Sequence, residues 1–353
     1  MLLWDSTKTG KKRYPASGLK RVTDRLLKEL QAAGQPVLPL KWDENKRMFL
    51  DLAHHNPAPK SGTFITPEIF SEHDRPGFRD WANSFLGRKV AIFHDAIPFR
   101  LPHVTWPQSV ARHPHYIKML GTEFGQVLAV SKASEKDLLG YWKWIGLEQL
   151  PETTNLQWGA DFDARPRNPA PTPTDAIPQL LQVGILEPRK NQDLTLDACE
   201  TLWKEGLPFH LHLAGRVNPH FGKPILARIK KLHGQGHPVT WHKSPSEDAL
   251  LQLYRNAHLC VFPSIAEGCG LPVLEALWIG RPVLASNLPS IKENAGYGGV
   301  IQFDLEKPDA LANELRALLQ DNGHLGKLTQ QIQKATLPTW RDTVEDMVRK
   351  IEM

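Results

Sequence analysis

Two glutamates eight positions apart, Glu267 and Glu275, flank a Gly-Cys-Gly-Leu-Pro turn in the stretch VFPSIAEGCGLPVLEALWIGRPVLAS, Val261 to Ser286. The apolar run before the turn reads as a buried strand. A helix is expected to begin near Gly270 or Leu271. The backbone amides of Gly268, Cys269, Gly270 and Leu271 would then be the unpaired donors of a helix N-terminus, which suit an anion. Glycines at 268 and 270 let a ligand approach the backbone closely. Glu275, about one turn into the helix, is placed to accept hydrogen bonds from a vicinal diol such as a ribose. A solvated turn with a charged helix face would account for the same letters, so the rest of the chain has to decide.

Three further groups carry chemistry. Arg189 and Lys190 stand side by side in VGILEPRKNQDLTLDA (183–198), where a helix begins. Adjacent cations oppose the helix dipole there unless an anion answers them. His94 and Asp95 end the apolar run KVAIFHD (89–95). A histidine at a strand end is often structural, as is Gly18 at the start of SGLKRVTDRLLKEL (17–30) and Ser131, which reads as a helix cap. Asp161 and Asp163 in WGADFD (158–163) imitate an Asp-x-Asp metal motif, but they sit where the chain enters a linker and no metal site is expected. Cys199, Cys260 and Cys269 have neither disulfide nor metal-ligand spacing, which suggests a reducing compartment.

The elements that must position these groups come in two sets. At 353 residues the chain exceeds what one core usually serves, so two domains are expected. Arg165 to Pro178, with five prolines, reads as an extended linker. The boundary is placed at 168/169, with residues 169–337 as one domain and a final helix near 338–353 free to pack back on the first. After the linker, strand-like runs at 180–186, 208–215, 238–242, 258–264, 281–286 and 298–303 alternate with helical stretches. The first half shows the same habit at 89–95 and 126–131. Strands alternating with helices predict an α/β fold of doubly wound parallel sheets, two of them facing across a cleft. Ligands in such sheets collect outside the carboxyl ends of the strands, where the Glu267 turn falls.

Charge and composition exclude some partners. Residues 1–170 carry 24 Lys+Arg against 18 Asp+Glu, and residues 171–353 carry 19 against 20. The positive excess therefore lies in the first half and points to an anionic substrate or surface. No zinc spacing, basic heptad or aromatic RNA-binding signature supports nucleic acid. No apolar run approaches the roughly 20 residues of a membrane-spanning helix. The N-terminus MLLWDSTKTGKKRYP has the reverse of signal-peptide order, and a cytoplasmic location is expected, peripheral at the membrane if anything.

Taken together, these segments resemble the retaining glycosyltransferases of family 4, which have the two-domain GT-B fold. The stretch from Pro263 to Ser286 is similar to that family's E-x7-E region, and VGILEPRKNQDLTLDA to its phosphate-binding strand, loop and helix. IFHDAIPFRLP (92–102) resembles its His-Asp loop, VLAVSKASEKDL (127–138) the strand and helix that follow, SGLKRVTDRLLKEL its glycine loop and first helix, and WGADFD the entry to the linker. The matches run in order over nearly the whole chain.

The resemblance implies a nucleotide-diphospho-sugar as donor and neither cofactor nor metal. By it, Glu275 would hold the ribose hydroxyls. Glu267 and the amides of 268–271 would hold the sugar and part of the diphosphate. Arg189 and Lys190 would neutralise the departing diphosphate, Gly18 and Gly184 would let backbone approach the donor, and His94 with Asp95 would reach the sugar or the acceptor hydroxyl. Ile185 stands where many relatives have Arg, Cys269 where Phe is common, and Lys243 where a glycine is usual beside the nucleotide base. The acceptor is expected to be a glycan or lipid-linked saccharide docked on the first domain, with KTGKKR (8–13) and the aromatic residues Trp142 and Trp144 as an expected surface contact with membrane. A nucleotide-sugar epimerase of the same fold and a non-catalytic sugar-binding relative are the alternatives.

Overall fold

The computed structural model describes residues 1–8, 18–162, 167, 169 and 177–353. Residues 9–17, Asp163 and most of the proline-rich segment lie outside the described residues, and with them most of KTGKKR. The chain forms two compact units, Met1–Gly159 with Pro338–Met353, and Ala160–Leu337.

The first unit is a seven-stranded sheet built from β1 (Leu2–Asp5), β2 (Val37–Asp43), β3 (Met48–Asp51), β4 (Thr63–Thr66), β5 (Arg88–Phe93), β6 (Gln126–Ala129) and β7 (Glu152–Asn155). Its spatial order is β3-β2-β1-β4-β5-β6-β7, parallel apart from the β2–β3 hairpin. Among the described residues five α-helices connect the strands: α1 (Gly18–Ala32), α2 (Phe78–Ser84), α3 (Ile97–Arg100), α4 (Pro107–Glu123) and α5 (Lys132–Trp144). Central strands of a parallel sheet are covered on both faces, so β6 is apolar-rich and buried along its length. The core beneath is aromatic: Phe49 and Trp81 meet Trp42 edge to face, and Phe64 meets Trp81 the same way.

The second unit holds β8 (Gln179–Val183), β9 (His210–Ala214), β10 (Val239–His242), β11 (Leu259–Phe262), β12 (Val283–Ser286) and β13 (Val300–Phe303), all parallel in the order β10-β9-β8-β11-β12-β13. The helices are α6 (Gln192–Lys204), α7 (Gly222–Gly234), α8 (Glu247–Asn256), α9 (Leu271–Ile279), α10 (Pro289–Ala295), α11 (Ala310–Gln320) and α12 (Asn322–Lys334). Its core is largely aliphatic, contributed by Leu211, Leu259, Val261, Leu284 and Leu315 among others. Both sheets reverse their strand order once, between β1 and β4 and between β8 and β11, and ligand sites form at such reversals.

The last helix, α13 (Trp340–Glu352), returns to the first unit. A capping box of Thr339 and Asp342 starts it, and it packs along α1. A methyl on Gly159 would lie 2.3 Å from the Trp340 amide nitrogen, so only glycine lets the chain pass that close. Gln126 Nε2 donates to the Lys350 carbonyl at 2.7 Å and secures the far end.

Trp142 is not a surface residue. It is fully buried and its indole donates to the Ile117 carbonyl at 2.8 Å. Two positions along a helix turn a side chain through about 200°, so Trp144 points the other way and is 74% exposed, beside Phe99 and Tyr141. Ser131 caps α5 as its sequence position suggests, accepting from the Ser134 amide at 3.0 Å.

Two polar clusters adjoin the cores. In the first unit Arg75 is fully buried between Asp5 (2.6 Å) and Glu68 (2.5 Å), with its guanidinium 3.7 Å from the Phe70 ring centroid. Thr66 and Thr7 hydroxyls donate to the two Asp5 oxygens, and the Lys8 amide donates to Glu68. This network ties β1 to β4 at the sheet reversal. In the second unit one face of β8–β9–β10 carries a half-buried polar ladder. His212 Nε2 donates to Gln179 Oε1 at 2.8 Å, which leaves Nδ1 to accept from His242 Nε2 at 3.0 Å, and His210 stacks on His212 with ring centroids 4.5 Å apart.

Removing Arg75 strands two buried carboxylates. Arg75→Ala is expected to destabilise the first unit by about 3–5 kcal/mol, read from the urea midpoint, and a loss under 1 kcal/mol would contradict this account. The histidine ladder predicts a pH effect. Burial, then His210 and His242, depress the His212 pKa to about 4, from an ordinary value near 6.5. A depressed folded-state pKa means that the unfolded chain takes up the proton first on acidification, so stability is full above about pH 6.5 and falls towards pH 4. The thermal midpoint of the second unit should follow that course, with a smaller acid loss in His212→Gln; an unchanged acid loss in the variant would exclude the ladder as its cause.

Candidate active site

The loops after β8 and β11 leave the second sheet side by side, because those strands are neighbours at the reversal. After β8 the chain makes a 3-10 turn over Pro188–Lys190 and enters α6 through Asn191, which takes a left-handed conformation at φ 55°. Gln182 Nε2 donates to the Lys190 carbonyl at 2.8 Å, and Gln192 Nε2 donates to the Ile185 carbonyl at 2.9 Å, so the loop is fastened at both ends. A Cβ on Gly184 would sit 3.2 Å from Lys190 Cγ and Cδ. The glycine expected to admit a ligand thus lies directly under the lysine stem. A Cβ on Gly215 would lie 2.0 Å from the Gly184 carbonyl oxygen, which makes that second glycine a steric necessity.

The cations are answered from within the protein. Lys190 Nζ is 2.6 Å from Glu267 Oε1 and 4.9 Å from the Phe262 ring centroid. Arg189 NH1 reaches the same Glu267 oxygen at 3.1 Å and the Ala266 carbonyl at 3.1 Å. Arg189 Nε and NH2 both meet Glu187 Oε1, at 3.1 and 2.8 Å, while Asn218 donates to Glu187 Oε2 at 3.0 Å. The anion implied by two adjacent cations therefore includes Glu267 and Glu187 themselves. Burial draws the Lys190 ammonium below its ordinary pKa, Glu267 opposing and Arg189 assisting. Burial pushes the Glu267 carboxyl up, but Lys190 and Arg189 outweigh it and hold it below the usual carboxylate range.

The helix start beyond Glu267 is where the sequence places it. Gly270 caps α9 in a left-handed conformation, φ 72°, and a Cβ there would strike Ile291 Cδ1 at 2.5 Å. Asn294 Nδ2 donates to the Cys269 carbonyl at 2.7 Å, and Ser290 Oγ donates to the Glu267 carbonyl at 3.0 Å, so α10 braces the turn. Gly268, Cys269, Gly270 and Leu271 thus lead into the N-terminus of α9 beside Arg189 and Lys190. Glu275 lies one turn on, buried, with Oε2 accepting from the Tyr254 hydroxyl at 3.0 Å. Lys243 is exposed in the loop between β10 and α8.

His94 and Asp95 belong to the first unit, at the carboxyl end of β5. His94 Nε2 donates to the Pro67 carbonyl at 2.6 Å, which fixes the Nε2–H tautomer and leaves Nδ1 as the acceptor. Burial lowers its pKa. Asp95 Oδ1 accepts from the Ile97 amide at 2.9 Å, and its carbonyl accepts from His113 Nε2 at 3.0 Å. Asp95 is thereby engaged in shaping the start of α3. Gly18 is the first residue of α1, and a Cβ there would meet nothing within 4 Å, so packing does not demand glycine.

Sequence reasoning missed several groups. Glu187 was legible in the Glu-Pro-Arg-Lys run, two residues before the arginine it holds. Tyr254, Ser290 and Asn294 come from other helices with no sequence signal of their own.

The chain is 27% identical over 280 residues to the serotype-specific mannosyltransferase WbdA of Escherichia coli, covering 74% of this chain and 33% of that protein. It spans about a third of the length of that relative. Among solved structures it superposes on sucrose-phosphate synthase from Thermosynechococcus elongatus with a TM-score of 0.72 and 16% identity, over 99% of this chain and 98% of that one. It superposes on Anabaena HepE in complex with UDP-glucose with a TM-score of 0.70 and 13% identity, over 99% of each chain. The fold is GT-B, and residues 167–336 match the family described as glycosyl transferases group 1.

Proposed function

We propose that the protein is a retaining, metal-independent hexosyltransferase that moves a sugar from a nucleotide-diphospho-sugar to a glycan or lipid-linked saccharide in surface polysaccharide biosynthesis. The observation that carries this is the cluster of Arg189, Lys190 and Glu267 beside the α9 N-terminus at the β8/β11 reversal. Cleaving the bond between the anomeric carbon and the phosphate oxygen places negative charge on the diphosphate. Fixed cations and oriented amides stabilise that charge as it develops, so a divalent ion has no necessary part. The acceptor oxygen bonds to the anomeric carbon on the same face, and its proton passes to the departing phosphate oxygen. Glu275 holds the ribose, Glu267 the sugar hydroxyls, and the neutral His94 accepts from a hydroxyl through Nδ1.

The mannosyltransferase relative makes mannose the first sugar to test, while HepE binds UDP-glucose and keeps glucose beside it. The group 1 family match disfavours the epimerase alternative. Peripheral membrane contact is supported by Trp144 with Phe99 and Tyr141 on the first unit. Among the described residues no helix is long and apolar enough to cross a membrane. Flotation with anionic liposomes at low salt should carry the protein upward, and Trp144→Ala should reduce this; no flotation of the wild type would remove the membrane from the account.

Calorimetry with GDP-, UDP-, ADP- and dTDP-sugars tests the donor. One nucleotide series should bind, and Glu275→Ala should weaken it by about tenfold or more, the worth of hydrogen bonds to a charged group. Equal binding by the variant would displace the ribose from Glu275.

A further inference from the structure

Four charged side chains share the mouth of the β8/β11 reversal, two cations and two carboxylates, and the carboxylates are held differently. Glu187 uses one oxygen for both Arg189 Nε and NH2 and the other for Asn218, so it grips one edge of the guanidinium and is itself gripped. Glu267 uses Oε1 for Lys190 and for Arg189 NH1, on the opposite edge. An incoming diphosphate requires those same two cations. Both cations carry further N–H donors, but the position that bridges them is taken by a single Glu267 oxygen at 2.6 and 3.1 Å, where a bridging phosphate oxygen would sit.

We propose that Glu267 is the resident counter-ion of the diphosphate site and is exchanged when the donor binds, while Glu187 is a positioning residue that keeps Arg189 in place through the exchange. This rests on the donor site described above. The exchange couples two recognition events. The diphosphate displaces Glu267 from Lys190, and the released carboxylate becomes available to the hydroxyls of the sugar attached to that diphosphate. A nucleoside diphosphate without sugar breaks the Glu267 pairs and offers nothing in return. The empty site keeps both cations paired, so neither is left as an uncompensated buried charge. Glu187 has no such release, because Asn218 and two guanidinium nitrogens hold it on both oxygens.

The two roles make opposite predictions for variants that each remove one negative charge from the same cluster. Calorimetry with UDP, GDP, ADP, dTDP and inorganic pyrophosphate, on the full chain, reads them. Glu267→Gln should bind the accepted nucleoside diphosphate about tenfold tighter or more, the size of one charge-assisted hydrogen bond no longer competed for. The same variant should lose the extra affinity that the matching nucleotide-sugar has over its diphosphate. Glu187→Gln should bind the diphosphate about tenfold more weakly, because Arg189 is then free to turn fully onto Glu267. Far-ultraviolet circular dichroism and thermal midpoints establish that both variants are folded, and Glu187→Asp, which keeps the charge, should recover part of the loss. Tightening in both variants would mean that only net charge matters and would overturn the proposal. So would weakening or no change in Glu267→Gln. Wild-type protein that binds none of these probes would remove the donor site itself, which is a different failure from wild-type binding with both variants shifted the same way.

Discussion

A buried lysine and a glutamate whose side chain is 8% exposed, 2.6 Å apart, join the two loops that leave neighbouring strands at the reversal of the second sheet. Much of that unit's local geometry serves this pair. A Cβ on Gly184 would press on the lysine stem at 3.2 Å, and Gly215 is glycine because the Gly184 carbonyl oxygen lies 2.0 Å from where its Cβ would be. Gln182 holds the Lys190 carbonyl, and Ser290 and Asn294 hold the turn that delivers Glu267. Burying two charges costs several kcal/mol each in lost hydration, and an apolar pair would often serve stability as well or better. Such a pair is therefore weak support for stability and stronger support for a site that must stay charged.

The two units use one topology to opposite ends. Each sheet reverses once, and each reversal holds cations between carboxylates. In the first unit Arg75 is 2% exposed and its two carboxylate partners are fully covered, with threonine hydroxyls and a backbone amide filling further positions on those carboxylates. That network is closed and braces β1 against β4. In the second unit Arg189 retains 21% exposure, and an exchangeable carboxylate faces it. The same charge types at equivalent places give a closed strut in one case and, in the reading proposed above, an anion site in the other, and solvent access is what separates them.

The second unit was legible in the sequence to a degree that the first was not. All six of its strands are runs bounded by turn residues, and all six form. In the first sheet β1 is four residues long, β2 contains Pro39, and β7 is the polar edge sequence Glu-Thr-Thr-Asn, so none shows a clean period. The positions of Glu267, Gly270 and Glu275 on turn, cap and helix followed from local pattern. The pairing of Arg189 and Lys190 with Glu267 did not, because it spans 77 residues of chain and depends on which strands become neighbours. Trp142 and Trp144 show the reverse limit, since composition marks both as aromatic and only helix phase separates core from surface. The cations first suggested an external anion, and the fold supplies internal ones before any ligand arrives.

The most direct test of this account is a structure of the protein with a nucleoside diphosphate bound. The account predicts the diphosphate within hydrogen-bonding distance of Arg189 and Lys190 at the start of α9, with Glu267 withdrawn from Lys190 and Glu187 still on Arg189. A bound diphosphate elsewhere, with Lys190 and Glu267 still paired at 2.6 Å, would contradict it.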